Sequence, residues 1–214
     1  HGTEVDWAGY YGGCGARRVP LPTYAFQHER YWPRAGLGTG FGSLGHSMLG
    51  TGVVLAGDEG VMLSGVLSAA DLPWLSEHVV LGSVMVPGAA LVEAVLFAGE
   101  RVGCDLLDEL TLQVPLLLPE HGAVTVQVFV SGPDDEGRRT VTVHSRADEN
   151  GEWARHATGV LSTGSPTPGQ VLTVWPPERA TEVDVTDLYD RLDEAGLSYG
   201  PVFQGLRRAW RLGE

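Results

Sequence analysis

The sequence predicts an α+β fold in which a curved antiparallel sheet wraps round one central helix. Three observations predict it. The first is a helical run opened by Pro87 and extending from Gly88 to about Val102, in which only Glu93, Glu100 and Arg101 are charged. A helix of that length that is apolar nearly all round must be enclosed on most sides. The second is alternation along "AVTVQVFVS" at Val124, Val126, Val128 and Val130, the period of a strand with one buried face. The third is a set of turn-rich segments, "GPDDEG" and "ADENG", that separate further apolar runs at hairpin spacing. One enclosed helix with at least five or six antiparallel strands is the hotdog arrangement.

Each element follows in order. Residues 1–36 are rich in Gly, Pro, Tyr and Arg without sustained periodicity, and "VPLPTYAFQHERYW" is expected to be an extended segment pinned by its rings. "TGVVLAG", the turn "DEG" and "VMLSGVLS" predict a strand pair from Thr51 onward. "DLPWLSEH" predicts a short turn that carries His78, and Pro87 suits the first turn of the helix that follows. "ELTLQVPLLL" alternates at Leu110, Leu112, Val114, Leu116 and Leu118, with Pro115 placing that strand at an edge or a bulge. "RRTVTVHSR" and "EWARHATGVLS" complete the sheet. After a loop, "TGSPTPGQVLTVWPPERAT", a second helix is expected from a cap near Asp184 or Thr186, with Leu188, Leu192 and Ala195 on one face and Gly196 as its end. "LSYGPVFQGL" and the strand-like "RRAWRLGE" follow.

Composition narrows the function classes. The chain has 214 residues, 43% of them hydrophobic and 19% charged, enough to bury a real core. The net charge of −13 repels phosphate backbones and argues against a nucleic-acid partner. No apolar stretch reaches the ~18 residues that a membrane span needs. Cys14 and Cys104 lie far apart, so a reduced, cytoplasmic setting is the expectation. His28, His46, His121, His144 and His156 share no metal-binding spacing, and no metal site is expected. The glycine-rich run at 35–42 lacks the strand-then-helix context of a nucleotide loop.

Four motif-like stretches and the opening segment carry a resemblance. "HVVLGSVMVP" fits the HxxxGxxxxP pattern of polyketide-synthase dehydratase domains, with His78, Gly82 and Pro87 in place. "YGPVFQG", which contains Tyr199, Gly200 and Pro201, resembles that family's second motif, with Leu197 where a tyrosine is common. "RHATGVL" and "LGHSMLG" look like its framework stretches, the latter in place of the commoner HPLLG. "VDWAGYYGGCGARRVPLPTYAFQHERYW" looks like the linker that follows the acyltransferase in modular type I synthases. The resemblance implies a linker at 1–36, the first hotdog of a double hotdog at 37–165, an inter-hotdog linker at 166–184 and the start of a second hotdog at 185–214. It also implies that the catalytic aspartate lies in that second hotdog, beyond Glu214, so that the 214 residues alone are expected to be inactive.

The implied reaction removes water from a β-hydroxyacyl thioester on an acyl carrier protein. It needs a base for the α-proton, for which an imidazole is suited at neutral pH, and His78 is the candidate. Gly82 is expected at a backbone turn. The amides at the start of the helix, Gly88 first and then Ala89, can polarise the thioester oxygen, and Tyr199, Gly200 and Pro201 are expected to line the substrate cleft. Asp184, Asp187, Asp190 and Asp193 fit the solvated and N-terminal faces of a helix better than a replacement acid. "RRAWR" reads either as a contact for the phosphopantetheine phosphate or carrier protein, or as solvent-facing strand residues. No cofactor is expected beyond that carrier-borne arm. Expected partners are the acyl carrier protein, neighbouring synthase domains and a second copy of the chain in a homodimer. Two other readings keep the fold: a double-bond isomerase, hydratase or thioesterase, and a non-catalytic dimerising scaffold within the megasynthase.

Overall fold

A computed structural model describes Asp6, Trp7, Gly9, Gly12, Gly13, Gly15 and residues 44–57, 59–164 and 173–213. The chain divides into two compact units, His1–Arg34 and Ala35–Glu214. In the first, the Asp6 carboxylate accepts the Gly9 amide at 3.0 Å. The extended, ring-pinned segment expected within residues 1–36 falls almost wholly outside the described residues, as do the glycine-rich run at 35–42 and the loop at 165–172.

The second unit is built on a six-stranded antiparallel sheet in the order β1-β2-β6-β7-β8-β5. Its strands are β1 (Thr51–Val54), β2 (Val61–Leu67), β5 (Leu106–Leu112), β6 (Val124–Val130), β7 (Arg139–Arg146) and β8 (Ala154–Ser162). Two short strands, β3 (His78–Val80) and β4 (Ser83–Val84), form a hairpin in the connection from β2 to the helix α1 (Gly88–Glu100). Helix α1 lies across β5, β6 and β7. Its Leu91, Ala94, Val95 and Ala98 meet Leu63 and Leu67 from β2, all four alternate valines of β6, and Val141, Val143, Ala157 and Leu161 from β7 and β8 in one core. Each buried leucine or valine among them contributes about 1.5–3 kcal/mol relative to exposure. This is the expected hotdog, a sheet folded over a central helix. The helix is a turn fraction shorter than expected, because the chain tightens at Arg101 and reverses through Gly103.

The alternation read along "ELTLQVPLLL" needs a correction. Strand β5 stops at Leu112, and Leu112 and Val114 are exposed, whereas Leu116 and Leu118 are buried. Pro115 therefore follows an edge strand rather than sitting inside one, and the irregularity in β5 falls earlier, between Leu107 and Glu109. Proline offers no N–H to a ladder, so the strand ends before it.

Past the sheet, β9 (Thr181–Val183) pairs with β11 (Ala209–Arg211), and β10 (Leu197–Tyr199) pairs with β3. Between them stands α2 (Leu188–Glu194). Its N-cap residue is Asp187, adjoining Thr186 as expected. The Asp184 carboxylate instead closes a local turn by accepting the amide (2.9 Å) and hydroxyl (2.7 Å) of Thr186. Leu188 and Leu192 are partly covered, Ala195 is exposed, and Gly196 ends the helix at a φ of 85°.

One stretch known only as framework has a clear structural task. The His46 side chain is buried, and its Nδ1 accepts the amides of Met48 and Leu49, each at 3.0 Å. Its Nε2–H must then point to Glu93 on α1, 2.6 Å away, so this ring ties the entry to β1 onto the central helix.

Candidate active site

His78 opens β3 directly after a single 3₁₀ turn, Pro73–Glu77, whose first position is a proline. The β3–β4 hairpin then reverses at Leu81 and Gly82, with φ of 49° and 77°. Two successive residues at positive φ are the signature of the tight hairpin turn whose twist matches that of its strands. Gly82 thus has a backbone reason for its identity, and the turn it makes brings the chain back past His78.

What returns is Met85. Its amide donates to the His78 carbonyl at 3.0 Å, and its own carbonyl stands 2.9 Å from His78 Nδ1. A carbonyl can only accept, so Nδ1 carries the proton, and in the neutral ring Nε2 keeps its lone pair. The acceptor is held firmly. Val86 N–H donates to Leu116 O and Leu118 N–H to Val84 O, both at 2.9 Å, with Met85 bridged to Leu117 between them. Among the described residues the imidazole has no other hydrogen-bond partner.

Two aromatic rings close on the imidazole. In the β10–β3 pairing Tyr199 stands opposite His78, and the two rings stack with centroids 5.2 Å apart and planes 24° apart. Phe203 approaches at 5.0 Å and tilts by 60°, backed by Trp74 at 6.4 Å. Sequence reading placed Tyr199 at the cleft but passed over Phe203, although it lies inside the same quoted motif.

Pro87 is buried and caps α1, and its carbonyl accepts the amides of Ala90 and Leu91. The Gly88 and Ala89 amides, the first two of α1, precede any helical acceptor and are free to meet an oxygen from outside. A Cβ on Gly88 would stand 3.1 Å from the Leu112 side-chain tip, so the position is tight. Gly200 and Pro201 begin a second 3₁₀ turn, Pro201–Phe203, that holds Phe203 toward the imidazole.

The remaining candidates are placed away from the ring or are engaged elsewhere. Asp184 is held by Thr186, and Asp193 accepts the Ser198 hydroxyl. From "RRAWR", Arg208 pairs with Glu182 at 2.8 Å and lies over the Trp210 ring, which pushes the Glu182 carboxyl below its ordinary range. Cys104 is buried, and burial pushes its thiol above its ordinary value. Among the described residues no three His, Cys, Asp or Glu side chains converge as a metal site would require, and no helix is long and apolar enough to cross a membrane.

Known proteins share these features. Residues 46–146 match the family model for the polyketide synthase dehydratase domain, and residues 167–214 match that for the polyketide synthase dehydratase N-terminal domain. The chain is 54% identical to polyketide synthase GfsA of Streptomyces halstedii over 99% of its own length, which is 3% of that protein. It is 44% identical to the pikromycin polyketide synthase component PikAII of Streptomyces venezuelae, over all of this chain and 6% of that one. Among solved structures it resembles the dehydratase domain from the terminal module of the rifamycin synthase, with a TM-score of 0.77 and 42% identity over 82% of this chain and 63% of that one. The erythromycin dehydratase gives 0.72 and 42%, over 78% and 63% of the two chains. With a histidine-bearing hairpin at the mouth of a hotdog helix, and with relatives of this kind over nearly its whole length, the chain belongs to the dehydratase domains of modular type I polyketide synthases.

Proposed function

We propose that this chain supplies the base half of a site that dehydrates a β-hydroxyacyl thioester, carried on the phosphopantetheine of an acyl carrier protein, to an α,β-unsaturated thioester during polyketide chain assembly. The observation that carries the reading is the bond from His78 Nδ1–H to the Met85 carbonyl, which leaves Nε2 as the proton acceptor. In this reading Nε2 takes a proton from the α-carbon, and the C–H electron pair moves into the thioester as an enolate. The Gly88 amide, at the positive end of α1, donates to the enolate oxygen. The electrons then return to form the alkene as the β-hydroxyl departs, protonated to water by an acid.

The family resemblance assigns that acid to an aspartate of the second hotdog, beyond Glu214, while Asp184 and Asp193 are engaged by their own neighbours. Tyr199, Gly200 and Pro201 form the wall along which the acyl chain lies against His78, and Gly82 and Pro87 set the loop and helix start that face it. Residues 37–165 form the first hotdog, 166–184 the connection, and 185–214 the opening of a second that is joined to the first by the β10–β3 pairing. The reaction requires no cofactor besides the carrier-borne arm. The carrier protein, neighbouring synthase domains and a second copy of the chain are its partners, in the cytoplasm.

Replacing His78 with Phe in the intact synthase tests the proposal. Mass spectrometry of the acylated carrier protein is expected to show the 18 Da loss of water fall by at least about 100-fold, the lower bound for removing a general base. Turnover above a tenth of wild type would refute the assignment.

A further inference from the structure

We infer that Glu77 is a positioning residue for the dehydration, whose main-chain carbonyl and carboxylate together clamp residues 199–203 against the imidazole of His78. The inference rests on the reading of His78 as the base, and it assigns a task to a side chain that the reaction itself does not use.

Three contacts meet at Glu77. The Gly200 amide donates to the Glu77 carbonyl at 2.8 Å, which extends the β10–β3 ladder one residue past the Tyr199–His78 pair. The Val202 amide donates to Glu77 Oε2, also at 2.8 Å. A Cβ built on Gly200 would stand 2.7 Å from Cβ, Cγ and Oε2 of Glu77, so only a glycine admits this approach.

The carboxylate meets a definite need. At the start of the Pro201–Phe203 turn, Pro201 has no N–H, Gly200 donates to Glu77, and Phe203 donates back to Gly200 at 2.9 Å. Val202 is the donor that remains, and an ionised carboxylate is the stronger kind of acceptor for it. With Val202 fixed, the chain on both sides of it is fixed. Tyr199 lies 5.2 Å and Phe203 5.0 Å from the imidazole, and Gln204 Nε2 closes the far end on the Tyr199 carbonyl at 2.7 Å. Because Glu77 immediately precedes His78, one peptide unit sets both the base and the wall that faces it.

Substitution separates this role from a direct effect of the negative charge on the imidazole. Glu77→Gln removes the charge but keeps a carbonyl oxygen for Val202, and Glu77→Ala removes both. Gly200→Ala leaves the charge and forces the clamp open. The measurements are steady-state kinetics of the intact synthase on racemic 3-hydroxybutyryl-pantetheine and hydrogen exchange of the peptide spanning 197–206. E77A and G200A are each expected to lower kcat/KM about tenfold, chiefly through KM, and to speed exchange at Val202. E77Q is expected to stay within about twofold of wild type, and the pH–rate profile is expected to keep its shape in all three. An E77A/G200A double variant should lose less than the product of the single losses, as for groups in direct contact. If E77A does not fold, G200A and E77Q still carry the test. E77Q as impaired as an alanine, a shifted pH–rate profile, or unchanged exchange at Val202 in G200A would overturn the clamp. Faster exchange in E77A and G200A, alongside retained turnover in a His78→Phe enzyme, would keep the clamp and remove only the base assignment.

Discussion

At Gly88 a missing side chain and an unpaired amide coincide, and their contributions can be separated. The atom that a new Cβ would meet is the movable tip of Leu112, so the fold is expected to absorb a larger residue. Gly88→Val is therefore expected to shift the melting temperature by only a few degrees while lowering turnover at least about tenfold, in line with the loss of a transition-state donor. Matched losses in a melting curve and a turnover assay would make Gly88 a packing residue only. Gly82 is the opposite case, since its φ of 77° requires the left-handed region. Gly82→Ala is expected to cost about 1–2 kcal/mol in chemical denaturation. The resemblance points to His78, Gly82, Pro87, Gly88 and Tyr199, and the structure brings the His78 and Tyr199 rings together. The acceptor for His78 Nδ1 was not legible in the sequence. It is a main-chain carbonyl of Met85, and any residue type can supply one. Nor was Glu77 legible, since its carboxylate works on a residue 125 positions away.

Among the elements, the alternating valines of β6 were read correctly because one face of that strand is wholly buried under α1. The same rule over-reached in the segment after β5. There the period is broken at Pro115, and the chain leaves the sheet edge to brace Met85 instead. The His156 ring helps hold that departure, donating from Nδ1 to the Val114 carbonyl at 2.8 Å while its Nε2 accepts the Ser145 hydroxyl at 2.7 Å. Two substitutions two residues apart should behave differently. Leu116→Ala removes a side chain that is 1% exposed and is expected to cost about 2–5 kcal/mol. Val114→Ala trims one that is 53% exposed and is expected to stay within about 0.5 kcal/mol. Urea denaturation of both variants checks the corrected strand end, and equal losses would restore the longer strand.

For the molecule as a whole, acid stability has an identifiable histidine component. Burial, then the nearby charge of Arg155, hold the His144 imidazole below its ordinary value. The unfolded chain therefore takes up this proton more readily than the folded one, so stability falls as pH drops below about 6.5, the unperturbed value, and levels off once the folded value is passed. The exposed carboxyls of Asp134 and Asp184, lowered chiefly by the backbone amides they accept, lose their contribution only at lower pH. His144→Gln is expected to shrink the drop in melting temperature between pH 7.5 and 5.5, and an unchanged drop would place the sensitivity elsewhere. The fold and the two ends of the site, one on the β3–β4 hairpin and one on the segment after β10, come together through a pairing of three residues. The base assignment proposed at that junction depends on one proton. Nitrogen-15 NMR of selectively labelled His78 at pH 7.5 measures it directly. The account predicts a neutral ring protonated at Nδ1 with an unprotonated Nε2, and a ring protonated at Nε2 alone would contradict it.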